Sequence, residues 1–127
     1  MMKPSEDDLA ALAAEHGTIY QFPFGDDEAE NSVETSPYVF VYRRPTVEAW
    51  KRWMAFEQDD KKRPQGMLNL CADCVVWPSQ DARAKVLEDV PGAMQMIGLE
   101  IISIGRGAAA ERSKKYKPGT AKPAPAT

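Results

Sequence analysis

The side chains most able to do chemistry are the thiols of Cys71 and Cys74, three positions apart. Two thiolates at this spacing can supply half of a tetrahedral zinc site, but the chain offers only His16 as a further soft or imidazole ligand. Redox chemistry needs such a pair exposed at a helix start, whereas the apolar pattern places both thiols on the buried face of a helix. We predict a buried, metal-free pair, with zinc shared between chains and redox chemistry as the alternatives.

His16 and the acidic segment 26–30 are the other candidates for chemistry. His16 precedes Gly17, where a cation would complement the carboxyl end of a helix. The carboxylates of segment 26–30 lack the spacing and the central glycine of a calcium loop. The chain has no glycine-rich phosphate loop and no Gly-x-Ser-x-Gly motif. We predict no catalytic residue, no metal and no cofactor, and therefore a protein that is not an enzyme.

A β-hairpin and about four short helices are predicted to position these residues. Segments 18–24 and 38–42 alternate as strands, and the acidic loop 25–37 joins them. Because two strands alone are marginally stable, the hairpin should pack on the helices that follow. Helical apolar spacing recurs over 47–55, 67–77, 82–87 and 94–104. We therefore predict an α+β domain over 18–107, preceded by a short acidic helix over 1–17 and followed by a disordered basic tail over 108–127.

The apolar positions of these helices separate into a predicted core and a surplus. Val47 and Met54 share a helix face with two tryptophans, so we expect that face to point inward. The predicted core contains Trp50, Trp53, Leu70, Cys71, Cys74, Trp77, Ile97 and Ile101. On the last helix the surplus residues Met96, Leu99 and Ile102 are predicted to bind a partner, either a second copy or a helical client.

Charge is divided along the 127 residues. Residues 1–36 hold nine acidic residues and one lysine, a net charge of −8, and residues 106–127 hold six basic residues and one acidic residue, a net charge of +5. The two flanks can attract each other, serve partners of opposite sign, or simply remain solvated, which we take as the default. The tail has a single stacking residue, so we expect no nucleic-acid binding.

Apolar runs are too short for a membrane helix, and the acidic amino terminus is unlike a signal peptide. Two cysteines also cannot form the disulfide framework of a small secreted domain. We expect a soluble, cytoplasmic protein with no membrane contact.

Four short motifs lie between residues 37 and 107. They are Tyr42-Arg43-Arg44-Pro45-Thr46, Glu48-x-Trp50-x-Arg52-Trp53, Cys74-Val75-Val76-Trp77-Pro78-Ser79, and Val90-Pro91-Gly92 ahead of an apolar helix that ends in glycine. In this order they resemble small tail assembly proteins of bacteriophages and prophages, of the tail assembly chaperone type. The resemblance implies a mainly helical, non-enzymatic protein that shields the tape-measure protein, or another tail protein, during tail assembly. It also implies self-association and a place in the cytoplasm of the bacterial host. The alternatives are a structural tail-completion or virion component and a small nucleic-acid-associated or metal-linked regulator.

Overall fold

An antiparallel sheet with helices on both faces forms the fold, which is of the α+β class. The computed structural model describes residues 2–117, and over that range the chain forms five helices and four strands. They are α1 Glu6–His16, β1 Ile19–Phe24, β2 Tyr38–Arg43, α2 Val47–Glu57, α3 Arg63–Cys74, β3 Val75–Trp77, α4 Gln80–Asp89, α5 Ala93–Gly105 and β4 Lys114–Lys115. The strand order is β3-β2-β1-β4. In the described part no helix is long and apolar enough to cross a membrane.

The β1–β2 hairpin places its aromatic side chains on one face of the sheet. Its register runs from Phe24 opposite Tyr38, beside the loop, to Ile19 opposite Arg43 at the other end. Since side chains alternate along a strand, one face collects the rings of Tyr20, Phe22, Phe24, Phe40 and Tyr42. The alternation predicted for both strands is confirmed.

Helices cover the two faces of this sheet unequally. Residues of α2, α3, α4 and α5 join the aromatic face in one buried cluster, which includes Trp53, Leu70, Ile97 and Ile101. On the opposite face Leu9 of α1 packs against Ile19 and Val41 in a smaller cluster. We call α2, α3 and α5 the helix layer.

Side-chain caps set the starts of three helices. The Ser5 hydroxyl accepts from the Asp8 N–H, and the Asp8 carboxylate accepts from the Ser5 N–H, so α1 begins with a capping box. At α2 and α4 there is a single cap: the hydroxyls of Thr46 and Ser79 accept from the N–H groups of Ala49 and Ala82, as the positions of Thr46 and Ser79 in the sequence predict.

Two glycines allow the helices of the layer to approach closely. A Cβ atom added at Gly66 of α3 would lie 2.5 Å from Cβ of Phe56 on α2. One added at Gly105 of α5 would overlap the ring of Trp50. Because neither position has room for a side chain, the backbones of α3 and α5 lie directly against the side chains of Phe56 and Trp50 of α2.

The prediction of a helix over 67–77 is wrong at the carboxyl end of that range. α3 ends at Cys74, and Val75–Trp77 form β3, which pairs with Val41 and Tyr42 of β2. Two consecutive β-branched valines ahead of Pro78 favour extended backbone over a helix. Trp77 is half-buried and packs with the smaller cluster on the α1 side of the sheet, not in the main core.

The prediction that residues 108–127 form a disordered tail is wrong for the first half of that range. Lys114 and Lys115 pair with Gln21 and Tyr20 of β1, and the Tyr116 N–H donates to the Ile19 carbonyl at 3.0 Å. We call residues 111–116 the C-terminal strap. Apart from Tyr116, which packs on the smaller cluster, polar contacts order the strap, which is why composition does not reveal it. Residues 118–127 lie outside the described part.

Candidate functional site

Exposed apolar side chains of the described part concentrate in the helix layer. On α2, Val47 is 71% exposed and Met54 is 47% exposed. Leu68 on α3 is 37% exposed, and Leu99 on α5 is 60% exposed. None of these four lies on α1 or the sheet. Since apolar patches on a protein surface commonly mark binding sites, the helix layer is the candidate functional surface.

The first cleft in this surface is the Leu99 groove, of about 380 Å³. It is lined by Trp53, Glu57, Arg63, Met67, Leu99, Ile102 and Arg106. An ion pair between Arg106 and Glu57 lies at its rim, and Arg63 pairs with Asp60 at 2.7 Å. The groove therefore has an apolar floor and a rim with charges of both signs.

The three residues predicted to bind a partner differ in exposure. Leu99 is exposed, because α5 turns Ile97 and Ile101 toward the core and Leu99 away from it. Met96 is half-buried, and Nη1 of Arg112 donates to its sulfur at 3.3 Å. Ile102 differs from the prediction, with only 7% of the residue exposed. Ile102 lies in the main core cluster with Trp53 of α2, so α5 buries a wider arc than its main apolar stripe.

The second cleft is the Trp50 groove, also of about 380 Å³. Its lining residues are Arg44, Pro45, Thr46, Val47, Trp50, Lys51, Met54, Ile104 and Gly105. The prediction that Val47 and Met54 point inward is wrong, and Trp50 is half-buried. Ala49 and Trp53 are the buried residues of α2, so the buried side of this helix is rotated away from Val47 and Met54 toward Ala49. Trp53 lies at the edge that the predicted and the observed buried sides share.

The two cysteines lie in the core between α3 and α5. Both are fully buried, and the Cys71 thiol donates to the Met94 carbonyl at 3.1 Å. Burial raises the pKa of both thiols to about 12. Residues 2–117 contain no group of three or more His, Cys, Asp and Glu side chains that could hold a metal ion. The thiols thus pack as small apolar groups.

Native Cys71 and Cys74 should react slowly with a thiol reagent, and unfolding should release both rapidly. Because their pKa values rise on folding from 9.0 to about 12, the unfolded chain ionises first as the pH rises. Stability should therefore fall between about pH 9 and pH 12. Urea unfolding across that range checks the trend, and the Cys71→Ala/Cys74→Ala protein should show a weaker dependence on pH. Immediate reaction of both thiols with the reagent in the folded protein would contradict their burial.

Other ionisable candidates also have structural partners. His16 lies at the end of α1, with Nε2 at 2.8 Å from the Glu15 carboxylate. In the acidic loop, one Asp26 carboxylate oxygen accepts from the N–H groups of Glu28 and Ala29. That carboxylate stabilises the turn by bonding to backbone donors.

Glu100 is the buried charged side chain of the described part, and the sequence analysis did not single it out. Its carboxylate accepts from the N–H groups of Arg112 at 2.7 Å, Ser113 at 2.8 Å and Glu111 at 3.2 Å, and from the Ser113 hydroxyl at 3.1 Å. The Tyr42 hydroxyl donates to the same Ser113 oxygen at 2.7 Å. This carboxylate holds the C-terminal strap on the domain.

Comparison with known proteins identifies one family and one similar fold. A family model described as Domain of unknown function (DUF6848) matches residues 12–113, a range that includes both grooves and ends within the strap. The solved structure of the uncharacterised protein rbstp2171 from Bacillus stearothermophilus has a TM-score of 0.58 and is 20% identical. The match covers 81% of this chain and 96% of that one, and at this identity it shows the fold alone. No curated protein matches the chain.

Proposed function

Because the chain belongs to the DUF6848 family, a domain of unknown function, we infer its role from its surface and propose a non-enzymatic chaperone of the phage tail assembly type. In this proposal the protein holds a helical segment of a tape-measure-like protein in the Leu99 groove, in the cytoplasm of the bacterial host. The hairpin supports the small bundle of helices that presents the groove.

The observation that carries the proposal is the exposed Leu99 side chain beside the apolar floor of its groove. An amphipathic helix docks in such a groove through apolar residues spaced at i, i+3, i+4 and i+7. Burying one leucine side chain on binding contributes about 1.5–3 kcal/mol. Leu99 with Met67 can therefore provide the anchor for one turn of a client helix.

Charges at the rim of the Leu99 groove should affect the orientation of a bound client helix more than its affinity. The Arg63–Asp60 and Arg106–Glu57 pairs are partly exposed to solvent, where ion pairs contribute little net free energy. Their guanidinium and carboxylate groups can still exchange partners with charges that flank the apolar stripe of a client. Such exchange would select the direction of the bound helix.

Leu99→Gln should weaken client binding about tenfold or more and leave folding intact. The expected loss follows from the burial energy of one leucine, and folding should survive because this side chain already faces water. Synthetic helical segments of a phage tape-measure protein serve as probes, with affinity measured by calorimetry and stability by thermal unfolding.

Val47→Gln is the matched control, because Val47 is more exposed than Leu99 and lies outside the Leu99 groove. It should bind the segments as the wild type does. Equal affinity in both variants would move the client site elsewhere. Recovery of the chain in purified tails would favour the structural component over the chaperone.

A further inference from the structure

The two ends of the β1–β2 hairpin carry opposite charge. At one end the acidic loop 25–37 contains five carboxylates and no basic residue. At the other end Arg43 and Arg44 lead into α2 and the Trp50 groove. Six-residue strands separate the two ends by about 17 Å at ~3.3 Å per residue. The molecule therefore has an acidic pole and a basic pole.

The acidic loop is held in a defined shape by its own hydrogen bonds. The Asn31 side-chain oxygen accepts from the Asp26 N–H at 2.9 Å and from the hydroxyl of the buried Ser36 at 2.7 Å. Lys114 Nζ lies 3.4 Å from Glu34 at the base of the loop. The tip residues Asp27, Glu28 and Glu30 are exposed. A preformed loop of this kind loses little conformational entropy on binding.

The basic pole offers an apolar cleft with a cationic rim. The Trp50 groove adjoins a further cleft of about 410 Å³, and the two share Arg44 and Ile104. Basic groups at these clefts are Arg44, Lys51 and Lys115, and none of the residues lining either cleft is acidic. Exposed Val47 and Met54 supply apolar surface beside the cations. This pole suits an acidic segment better than a neutral apolar one.

We propose that copies of this chain associate head to tail, with the acidic loop of one copy in the Trp50 groove of the next. A second copy is the occupant because both complementary surfaces belong to one chain. They lie at opposite ends, so contact through one leaves the other available. Two-fold pairing of either pole with itself would oppose like charges, whereas a heterologous contact repeats into a ring or a filament. This contact uses a surface separate from the Leu99 groove and goes beyond the proposed client binding.

Association through this contact should depend strongly on salt. Its apolar area is small and its charges are exposed, so attraction across about 10 Å should be nearly lost when the Debye length falls from about 30 Å at 0.01 M salt to 3 Å at 1 M. Sedimentation equilibrium of the full chain at both salt concentrations measures this. We expect a concentration-dependent series of oligomers at low salt and monomer at high salt.

Charge reversal identifies the two surfaces. The loop variant is Asp27→Lys/Glu28→Lys and the groove variant is Arg44→Glu/Lys51→Glu, and all four positions are exposed. Each variant alone should lose at least tenfold in association constant. In the loop variant the net charge of loop 25–37 falls from −5 to −1. In the groove variant the net charge of the side chains lining the two clefts changes from +3 to −1. An equimolar mixture should recover association into pairs, because the unchanged loop of the groove variant meets the unchanged groove of the loop variant.

Asp81→Lys/Glu88→Lys is the matched control for the loop variant, since it makes the same change in net charge at exposed positions of α4. It should associate as the wild type does. A wild-type chain that stays monomeric at low salt, or a mixture that fails to recover association, overturns the proposal. If the monomeric wild type binds an acidic peptide from another protein in the Trp50 groove, the occupant is that partner and not a second copy.

Discussion

Glu100→Ala is expected to destabilise the domain by about 2–4 kcal/mol. The change removes the acceptor of three backbone N–H groups and one hydroxyl in a buried position. Hydrogen bonds to a charged group are worth about 1.5–3 kcal/mol each, and donors left buried without a partner cost about 1–3 kcal/mol. Part of that cost is recovered because the C-terminal strap can detach and hydrate its N–H groups.

Two measurements separate loss of the strap from general unfolding. Urea unfolding gives the change in stability, and amide hydrogen exchange should show lost protection at residues 111–113 and at Tyr116, with the centre of α5 still protected. Glu111→Ala is the control, because only the backbone of that residue contacts Glu100. If Glu100→Ala is as stable as Glu111→Ala, the strap does not stabilise the domain.

Trp53→Ala should have the largest effect of any single change in the helix layer, about 3–5 kcal/mol. Trp53 is buried and belongs to the main core cluster, so its truncation leaves a large cavity. Trp50→Ala should cost clearly less, since Trp50 is half-buried at the Trp50 groove. Urea unfolding of both proteins provides the comparison.

Trp53→Phe refines this expectation. The Trp53 Nε1 atom is buried and has no hydrogen-bond partner within residues 2–117. Phenylalanine keeps much of the apolar contact and removes this unpaired donor, so the loss should be well below that of the alanine variant. If Trp50→Ala loses as much stability as Trp53→Ala, or more, the contact of Trp50 with Gly105 of α5 contributes more to the stability of the helix layer than burial of Trp53 does.

Local signals in the sequence predicted the elements that depend on local physics. The alternation over 38–42 and the caps at Thr46 and Ser79 act within a few residues, and each is present in the structure. β3 was missed because three residues are too few for a periodic signal, and their extended form depends on pairing with β2. The strap was missed because its stabilising carboxylate, Glu100, precedes it by more than ten residues.

The exposure of a residue at the candidate site was predictable where it depends on the apolar pattern of one helix. It was not predictable where it depends on how two helices pack together. The surplus of apolar residues on α5 indicated Leu99 correctly as a surface residue. Ile102 and the α2 residues Val47 and Met54 required knowledge of how α2 meets α5. Gly66 and Gly105, which leave room for the side chains of Phe56 and Trp50, are part of that geometry, and no pattern of hydrophobic residues encodes it.

The position of β1 in the sheet has a consequence for synthesis on the ribosome. β1 pairs with β2, the next strand to be made, and also with Lys114–Lys115, the last strand in the described chain. A nascent chain can therefore form the hairpin early while the other edge of β1 stays unpaired and Phe22 lacks the Arg112 guanidinium that covers its ring at 5.9 Å. Unpaired strand edges beside exposed aromatic rings are prone to aggregation. Until the strap has been translated, the growing chain is thus vulnerable to pairing with neighbouring nascent chains on the same messenger RNA, and slow translation late in the message would prolong that exposure.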